Sequence, residues 1–327
     1  MSFHSGFIAI IGRPNAGKST LVNALTGHKV AIVTPRPQTT RNRIQGIVNR
    51  PDAQAVLIDT PGLHTGRTAL NRHMIEEVGQ ALQSVDILAL MMDVTSPLRP
   101  DDRMGLERAR RFRGPVYLLL NKIDAVAKEK LLPLIDQFRN EQNFAEIFPI
   151  SAMKGDGLPQ LLDAWIRDLP ENPPFFPIDQ FTDQPERFLA AEFIREKAIR
   201  LTREEVPHAI AVFVDHFEEH EKLLKIYATL CVERESQKGI LVGKRGETIK
   251  KIGTEARRDI EKLFGTHIFL DLRVKVLENW RERPEVIRQL DWRLQLEQIS
   301  AAQNPDTDSD PDPEHDPDSG PERTSDI

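Results

Sequence analysis

The chain has 327 residues, 39% hydrophobic and 29% charged, with a formal net charge of −6; at about 100 to 200 residues per domain, this length predicts two domains with sizeable cores. No run approaches the ~18 uncharged apolar residues of a membrane span, and the opening MSFHSGFIAIIGRPN lacks a basic region followed by an apolar stretch, so a secreted or membrane-spanning protein is disfavoured. The single cysteine, Cys231, excludes an intramolecular disulfide and a Cys-rich zinc site, and the expectation is a cytoplasmic protein.

Along the chain, short apolar runs at 7–11, 56–59, 87–93, 116–121 and 147–150 read as buried strands. Amphipathic patterns at 18–25, 68–83, 101–111, 128–138 and 158–168 read as the helices between them. This alternation implies βαβ crossovers and a mainly parallel sheet, whose ligand site lies beyond the carboxyl ends of the strands. The polar motifs sit at those ends. Gly12-Arg13-Pro14-Asn15-Ala16-Gly17-Lys18-Ser19 fills every fixed position of a G-x-x-x-x-G-K-S phosphate loop. Its glycines let backbone N–H groups approach a phosphate, Lys18 reaches the β- and γ-phosphates, the Ser19 hydroxyl binds Mg²⁺, and Thr20 follows in the helix. At Asp59-Thr60-Pro61-Gly62 the carboxylate can hold Mg²⁺ through water and the Gly62 N–H can sense a γ-phosphate. In Asn121-Lys122-Ile123-Asp124, the Asp124 carboxylate can accept hydrogen bonds from the N1–H and 2-amino group of guanine, donors that adenine lacks in that place. This selects GTP over ATP and argues against a P-loop ATPase or kinase. Ser151-Ala152-Met153-Lys154 falls at another strand end, where the Ala152 N–H could contact the guanine oxygen and Lys154 could cover the base.

The ordered set GRPNAGKS, Thr39-Thr40-Arg41, DTPG, NKID and SAMKG resembles the translation-factor-like GTPases, and G-x-P-N-x-G-K-S with Gln38-Thr39-Thr40-Arg41 is similar to the Era family of bacterial GTPases. The resemblance implies a GTP- and GDP-binding enzyme of slow intrinsic turnover. Lys18, Thr40 and Gly62 would act at the phosphates, and Ser19, Thr40 and Asp59 would hold Mg²⁺. Thr39 competes with Thr40 for the switch role. Where better-known GTPases carry a water-orienting glutamine after DTPG, this chain has Leu63, which cannot polarise water. In relatives with the same phosphate-loop asparagine, here Asn15, that residue can ligate a K⁺ ion placed like an arginine finger; bracing the loop is the alternative role. His64 reads as an exposed loop histidine. A pure RNA-binding scaffold, with guanine nucleotide as a structural cofactor, is the rival reading that Leu63 leaves open.

The stretch LPENPPFFPIDQFTDQP at 169–185 holds five prolines, which interrupt any regular period. The predicted organisation is a GTP-binding domain over 1–168, a linker over 169–184, a second domain over 185–303 and a tail over 304–327. In the second domain Phe188, Ala191, Ile194, Ala198 and Leu201 recur at helical spacing. Ile210, Val212 and Val214 then mark one strand face, and Ile226, Ala228, Leu230 and Val232 a second. Ile268, Leu270, Leu272, Val274 and Val276 mark a third, so each strand needs a helical layer on that side. Gly243-Lys244-Arg245-Gly246, flanked by Ile240, Val242, Ile249 and Ile252, lies before a helix running to about residue 264. That order resembles a KH domain of the bacterial type, type II, in which the glycines let nucleic-acid backbone come close. Lys244, Arg245, Lys250 and Lys251 are the candidate phosphate contacts beside Gly243 and Gly246. Over 238–258, seven basic residues face two acidic ones, a local +5 in an acidic protein.

The expected fold is therefore an α/β P-loop GTPase domain with a mainly parallel sheet, followed by an α+β KH domain. The Era-like arrangement implies binding to 16S ribosomal RNA near its 3′ end, action in assembly of the 30S subunit, a monomer, and peripheral association with the inner membrane. A helix expected over 278–300, carrying Trp280, Ile287, Trp292, Leu294 and Leu296, is read as packing on the second domain, and Cys231 as a packed or idle thiol. From Asn304 onward nine acidic residues stand against Arg323 alone, and this tail reads as disordered and outside the family pattern.

Overall fold

Continuous runs of Ile, Leu, Ala and Met form strands here because the sheet they build is covered on both faces. The computed structural model describes residues 2–63, 68–141 and 143–293; His64, the acidic tail and the 294–300 part of the expected last helix lie outside the described residues. The first sheet contains β1 (His4–Ile11), β2 (Ile44–Arg50), β3 (Ala53–Asp59), β4 (Ile87–Asp93), β5 (Val116–Asn121) and β6 (Glu146–Ile150), in the order β2-β3-β1-β4-β5-β6. All its pairs are parallel except β2 with β3. On one face Ile8, Ile10 and Leu57 pack with α1 (Lys18–Thr26) and α5 (Leu158–Asp168). On the other, Ile11, Leu88, Leu90 and Leu118 pack with α2 (Ala69–Ala81), α3 (Pro100–Arg111) and α4 (Leu131–Glu141).

β2 is an addition to the five expected strands. Its sequence, IQGIVNR, carries polar residues on an edge, where one side of the backbone needs another partner. The proline-rich segment supplies it: the Ile47 N–H donates to Phe181 O at 2.9 Å and Thr182 Oγ1 to Gln45 O at 2.7 Å. Residues 169–184 are thus strapped to the sheet by hydrogen bonds.

The second sheet has the order β7-β8-β9, with β7 (Ala211–His220) antiparallel to β8 (Leu223–Val232) and β9 (His267–Val276) parallel to β8. Its period-two apolar face packs under α6 (Glu186–Leu201) and α9 (Glu247–Phe264), with the short α7 (Val206–Ala209) and α8 (Glu235–Val242) between them in the chain. The helix α6 is buried almost all round, including Arg195, Glu196 and Lys197, because its other side meets the first half of the molecule. Along the described chain to Trp292 the two sheets belong to one compact unit.

The single helix expected over 278–300 is corrected: a 3-10 turn at Trp280–Glu282 is followed by a separate helix at Pro284–Leu290. Pro284 has no N–H and its ring would clash with a preceding helical turn, so it starts a helix. Packing is nevertheless its role. Trp280 is fully buried among Leu70, Met74, Ala211 and Cys231, its Nε1 donating to Ala209 O at 2.7 Å. Burial pushes the Cys231 thiol up to about 11, so it is inert at neutral pH.

Candidate functional site

The loop between β1 and α1 wraps so tightly that no side chain fits at its two glycines, Gly12 and Gly17. Gly17 has φ +110°, and a Cβ there would lie 2.2 Å from Asn121 Nδ2. The same Nδ2 donates to Ala16 O at 2.7 Å, so Asn121 braces the phosphate loop from the end of β5. Lys18 is buried, with Nζ on Gly12 O at 3.0 Å and Arg13 O at 3.1 Å, a position from which it can be handed to phosphate oxygens.

Ser19, Thr40 and Asp59, far apart in sequence, come together. Ser19 Oγ donates to Asp59 Oδ2 at 2.6 Å, and Thr40 Oγ1 lies 3.0 Å from Ser19 Oγ and 3.4 Å from Asp59 Oδ2. Asp59 Oδ1 is buried without a partner. Burial pushes the Asp59 carboxyl up to about 6 despite the attraction of Lys18, and pulls the Lys18 ammonium down to about 8. An orphaned carboxylate oxygen beside two hydroxyls is a hard-oxygen donor set that fits Mg²⁺. Of the two competing threonines, Thr39 points elsewhere: its hydroxyl donates to Arg36 O and meets Thr34 Oγ1, both at 2.7 Å.

After Asp59, the Thr60 hydroxyl is turned back to Ile10 O at 2.8 Å and Pro61 is buried, so neither side chain faces the cavity. At Gly62 a Cβ would lie 2.8 Å from Pro14, which keeps the Gly62 backbone against the phosphate loop. Leu63 is buried in the apolar cluster with Ile11, Leu90 and Leu106. It therefore neither reaches nor orients a water at the phosphates. Asn15, at φ +61°, donates from Nδ2 to Pro35 O at 2.8 Å.

At the other end of the site, Ser151 Oγ donates to Asp124 Oδ1 at 2.7 Å and accepts from the Lys154 N–H at 3.1 Å. Asp124 and Lys154 are exposed, while Lys122 reaches Asp93 Oδ2 at 2.6 Å. The Ala152 N–H, the expected contact for the guanine oxygen, donates to Asn121 Oδ1 at 3.0 Å, so Asn121 ties the two loops together.

A cavity of about 480 Å³ opens among the phosphate loop, residues 32–35 and 38–40, Gly62, Lys122 and Arg200. Residues 32–35 and Arg200 carry no motif and are legible only in the fold. The loop that bears Thr40 is gripped by the second half on both sides of that residue. Arg195 donates to Thr39 O, and the buried Arg41 guanidinium donates to Ile210 O at 2.7 Å and His208 O at 3.2 Å, over the Trp280 ring.

The second candidate site lies at α8 (Glu235–Val242) and α9. Gly243, Arg245 and Gly246 take φ values of +73°, +53° and +80°, and the Lys244 and Arg245 side chains are exposed. Beside this turn a groove of about 260 Å³ runs between α9 and β9, with Ile249, Leu270 and Leu272 as its apolar wall and Lys250 and Arg257 as its charge. Lys251 lies outside that groove, 4.0 Å from Glu255. Leu270 and Leu272 carry the alternating signal of strand core residues, which conceals that α9 leaves them half open.

Residues 7–122 match the family described as 50S ribosome-binding GTPase, and residues 205–281 match the KH domain. GTPase Era of Syntrophus aciditrophicus (strain SB) is 51% identical over 289 residues, covering 88% of this chain and 94% of that protein. Among solved structures, an Aquifex aeolicus Era variant bound to GDP and aluminium fluoride superposes with a TM-score of 0.84 at 40% identity, over 89% of this chain and 99% of that one. An Era complex with MgGDPNP and nucleotides 1506–1542 of 16S ribosomal RNA is 41% identical, also with a TM-score of 0.84 and the same coverage.

Proposed function

The chain belongs to the Era family of GTPases, and we propose that it is a GTP-hydrolysing switch that binds 16S ribosomal RNA near its 3′ end through the Gly243–Gly246 turn and the α9–β9 groove. The observation that carries this reading is the double grip on the switch loop: Thr40, beside Ser19 and Asp59, is flanked by Thr39 and Arg41, both bonded to the RNA-binding half. A movement of Thr40 toward a γ-phosphate must load those bonds, so the nucleotide state and the RNA-binding half bias one another. GTP turnover should therefore change severalfold on adding RNA carrying the 16S 3′ end. Equal turnover with and without that RNA would sink the coupling.

Ser19, Thr40 and Asp59 would hold the Mg²⁺, and the orphaned Asp59 Oδ1 supports that assignment. The ion they would hold would supply positive charge against the phosphate oxygens. A raised carboxyl pKa means that the metal-free fold favours the proton, so the charge needed for Mg²⁺ is present above about 6 and lost as pH falls through it. Mg²⁺-dependent GTP affinity should be level near pH 7, below the point at which Lys18 loses its charge, and fall about tenfold per pH unit well below 6. A titration series at fixed Mg²⁺ that stays level down to pH 5 would remove Asp59 from the metal site.

With Leu63 packed away, stabilisation of the transition state would come from another source, and a K⁺ ion held by Asn15 in the phosphate loop would supply it. GTP turnover should be faster in KCl than in NaCl at equal ionic strength, with Asn15→Ala erasing most of the difference. Identical rates in the two salts would defeat the potassium role and leave the Mg²⁺ site intact. The proposal extends to action in 30S subunit assembly as a cytoplasmic monomer with peripheral contact to the inner membrane; none of the described helices is long and apolar enough to cross a membrane.

A further inference from the structure

We infer that Arg200, carried by α6 of the RNA-binding half, is a nucleotide-binding residue whose guanidinium meets the α-phosphate of bound GTP or GDP; this rests on the GTP-site reading above. Every other residue lining the 480 Å³ cavity comes from the first half, at or before Lys122. Arg200 is held there by a defined clamp. The Val33 N–H donates to Glu196 Oε1 at 3.1 Å, and Val33 O accepts from Arg200 Nη2 at 2.7 Å, so both polar groups of Val33 are held from α6. Arg200 Nη2 also meets Glu196 Oε1 at 3.2 Å, while its side chain remains 47% exposed.

Charge points the same way. Around Glu196 the cations Lys29, Lys197 and Arg200 outnumber the carboxylates Glu196 and Asp259. Of these five, Arg200 alone lines the cavity, so the unbalanced positive charge of the network is presented there. The other cations of the lining are committed: Lys18 to the β- and γ-phosphates by its place in the loop, and Lys122 to Asp93. The α-phosphate is the anion left without a cationic side chain, and a guanidinium with unused N–H groups is suited to it.

The test is titration of the full chain with GTP and with GDP, comparing Arg200→Met, Arg200→Gln and Arg200→Lys. Met and Gln should weaken both nucleotides by about tenfold, the scale of one hydrogen bond to a charged group, and by equal factors because both carry the α-phosphate. Lys should keep most of the affinity. Gln removes the charge but keeps a polar side chain with N–H donors, and Lys keeps the charge without the guanidinium fork, so the two together separate the charge from the clamp even if Met loosens the loop. Wild-type affinity in Arg200→Gln overturns the inference, as does a loss confined to GTP. If the unaltered chain bound neither nucleotide, the GTP-site reading itself would fall, a result distinct from either.

Discussion

Gly246→Asp should reduce specific RNA affinity by roughly a hundredfold or more while leaving GTP affinity unchanged. A Cβ at Gly246 meets nothing within 4 Å, so the cost to the fold is confined to backbone strain at φ +80°, a region that Asp enters more readily than most side chains. The harm therefore falls on the ligand. A carboxylate is set beside Lys244 and Arg245 at the point where phosphate approaches, cancelling one cation and excluding the backbone sterically. Lys244→Ala should do less, lowering the slope of log affinity against log salt by about 0.7 for single-stranded RNA. Gly243 offers the contrast, since a Cβ there would lie 2.2 Å from Thr248 Oγ1, and Gly243→Ala should lower the unfolding temperature as well as RNA affinity. Paired RNA and GTP titrations of each variant decide the matter. Normal binding of the 16S 3′ end by Gly246→Asp would show that this turn is not where RNA sits.

Much of this molecule is legible in sequence where a signal is local. The strands β4 and β5 match their expected ends because each is an unbroken apolar run closed by a polar residue, Asp93 or Asn121. The phosphate-loop, DTPG and NKID positions follow from fixed spacing, since backbone geometry demands particular residues at particular steps. β2 was not legible because its stability comes from an edge partner 134 residues later, the carbonyl of Phe181 bonded to Ile47. Arg195, Glu196 and Arg200 show the same limit. On a helix they look like solvated charges, and only the tertiary fold buries the first two against the switch loop and turns the third to the cavity. Asn121 was legible as part of a base-reading motif, but its observed bonds, to Ala16 O and from the Ala152 N–H, brace the site. Thr39 and Thr40 could not be separated by spacing; the direction of each hydroxyl separates them.

Asp124→Asn should lower GTP affinity by roughly a hundredfold and create a preference for xanthosine triphosphate. The carboxylate is exposed at the end of the base loop, with Oδ1 already accepting from Ser151 Oγ at 2.7 Å. Each carboxylate oxygen can accept twice, so capacity remains for two donors on one edge of a base. Guanine offers N1–H and a 2-amino group there. An amide in place of the carboxylate keeps its oxygen for Ser151 but turns N–H donors toward guanine donors, and two hydrogen bonds to a charged group are replaced by a mismatch. Xanthine presents a 2-oxo acceptor at the same position, which the new amide can meet. Adenine, with an acceptor at N1, gains less. The substitution changes no buried group, so RNA affinity of the nucleotide-free chain should stay at its original value. Titration with GTP, xanthosine triphosphate and ATP, each in the presence of Mg²⁺, provides the measurement. Unchanged GTP binding without any gain for the xanthosine nucleotide would remove Asp124 from the base site and move guanine recognition to the Ser151–Lys154 loop.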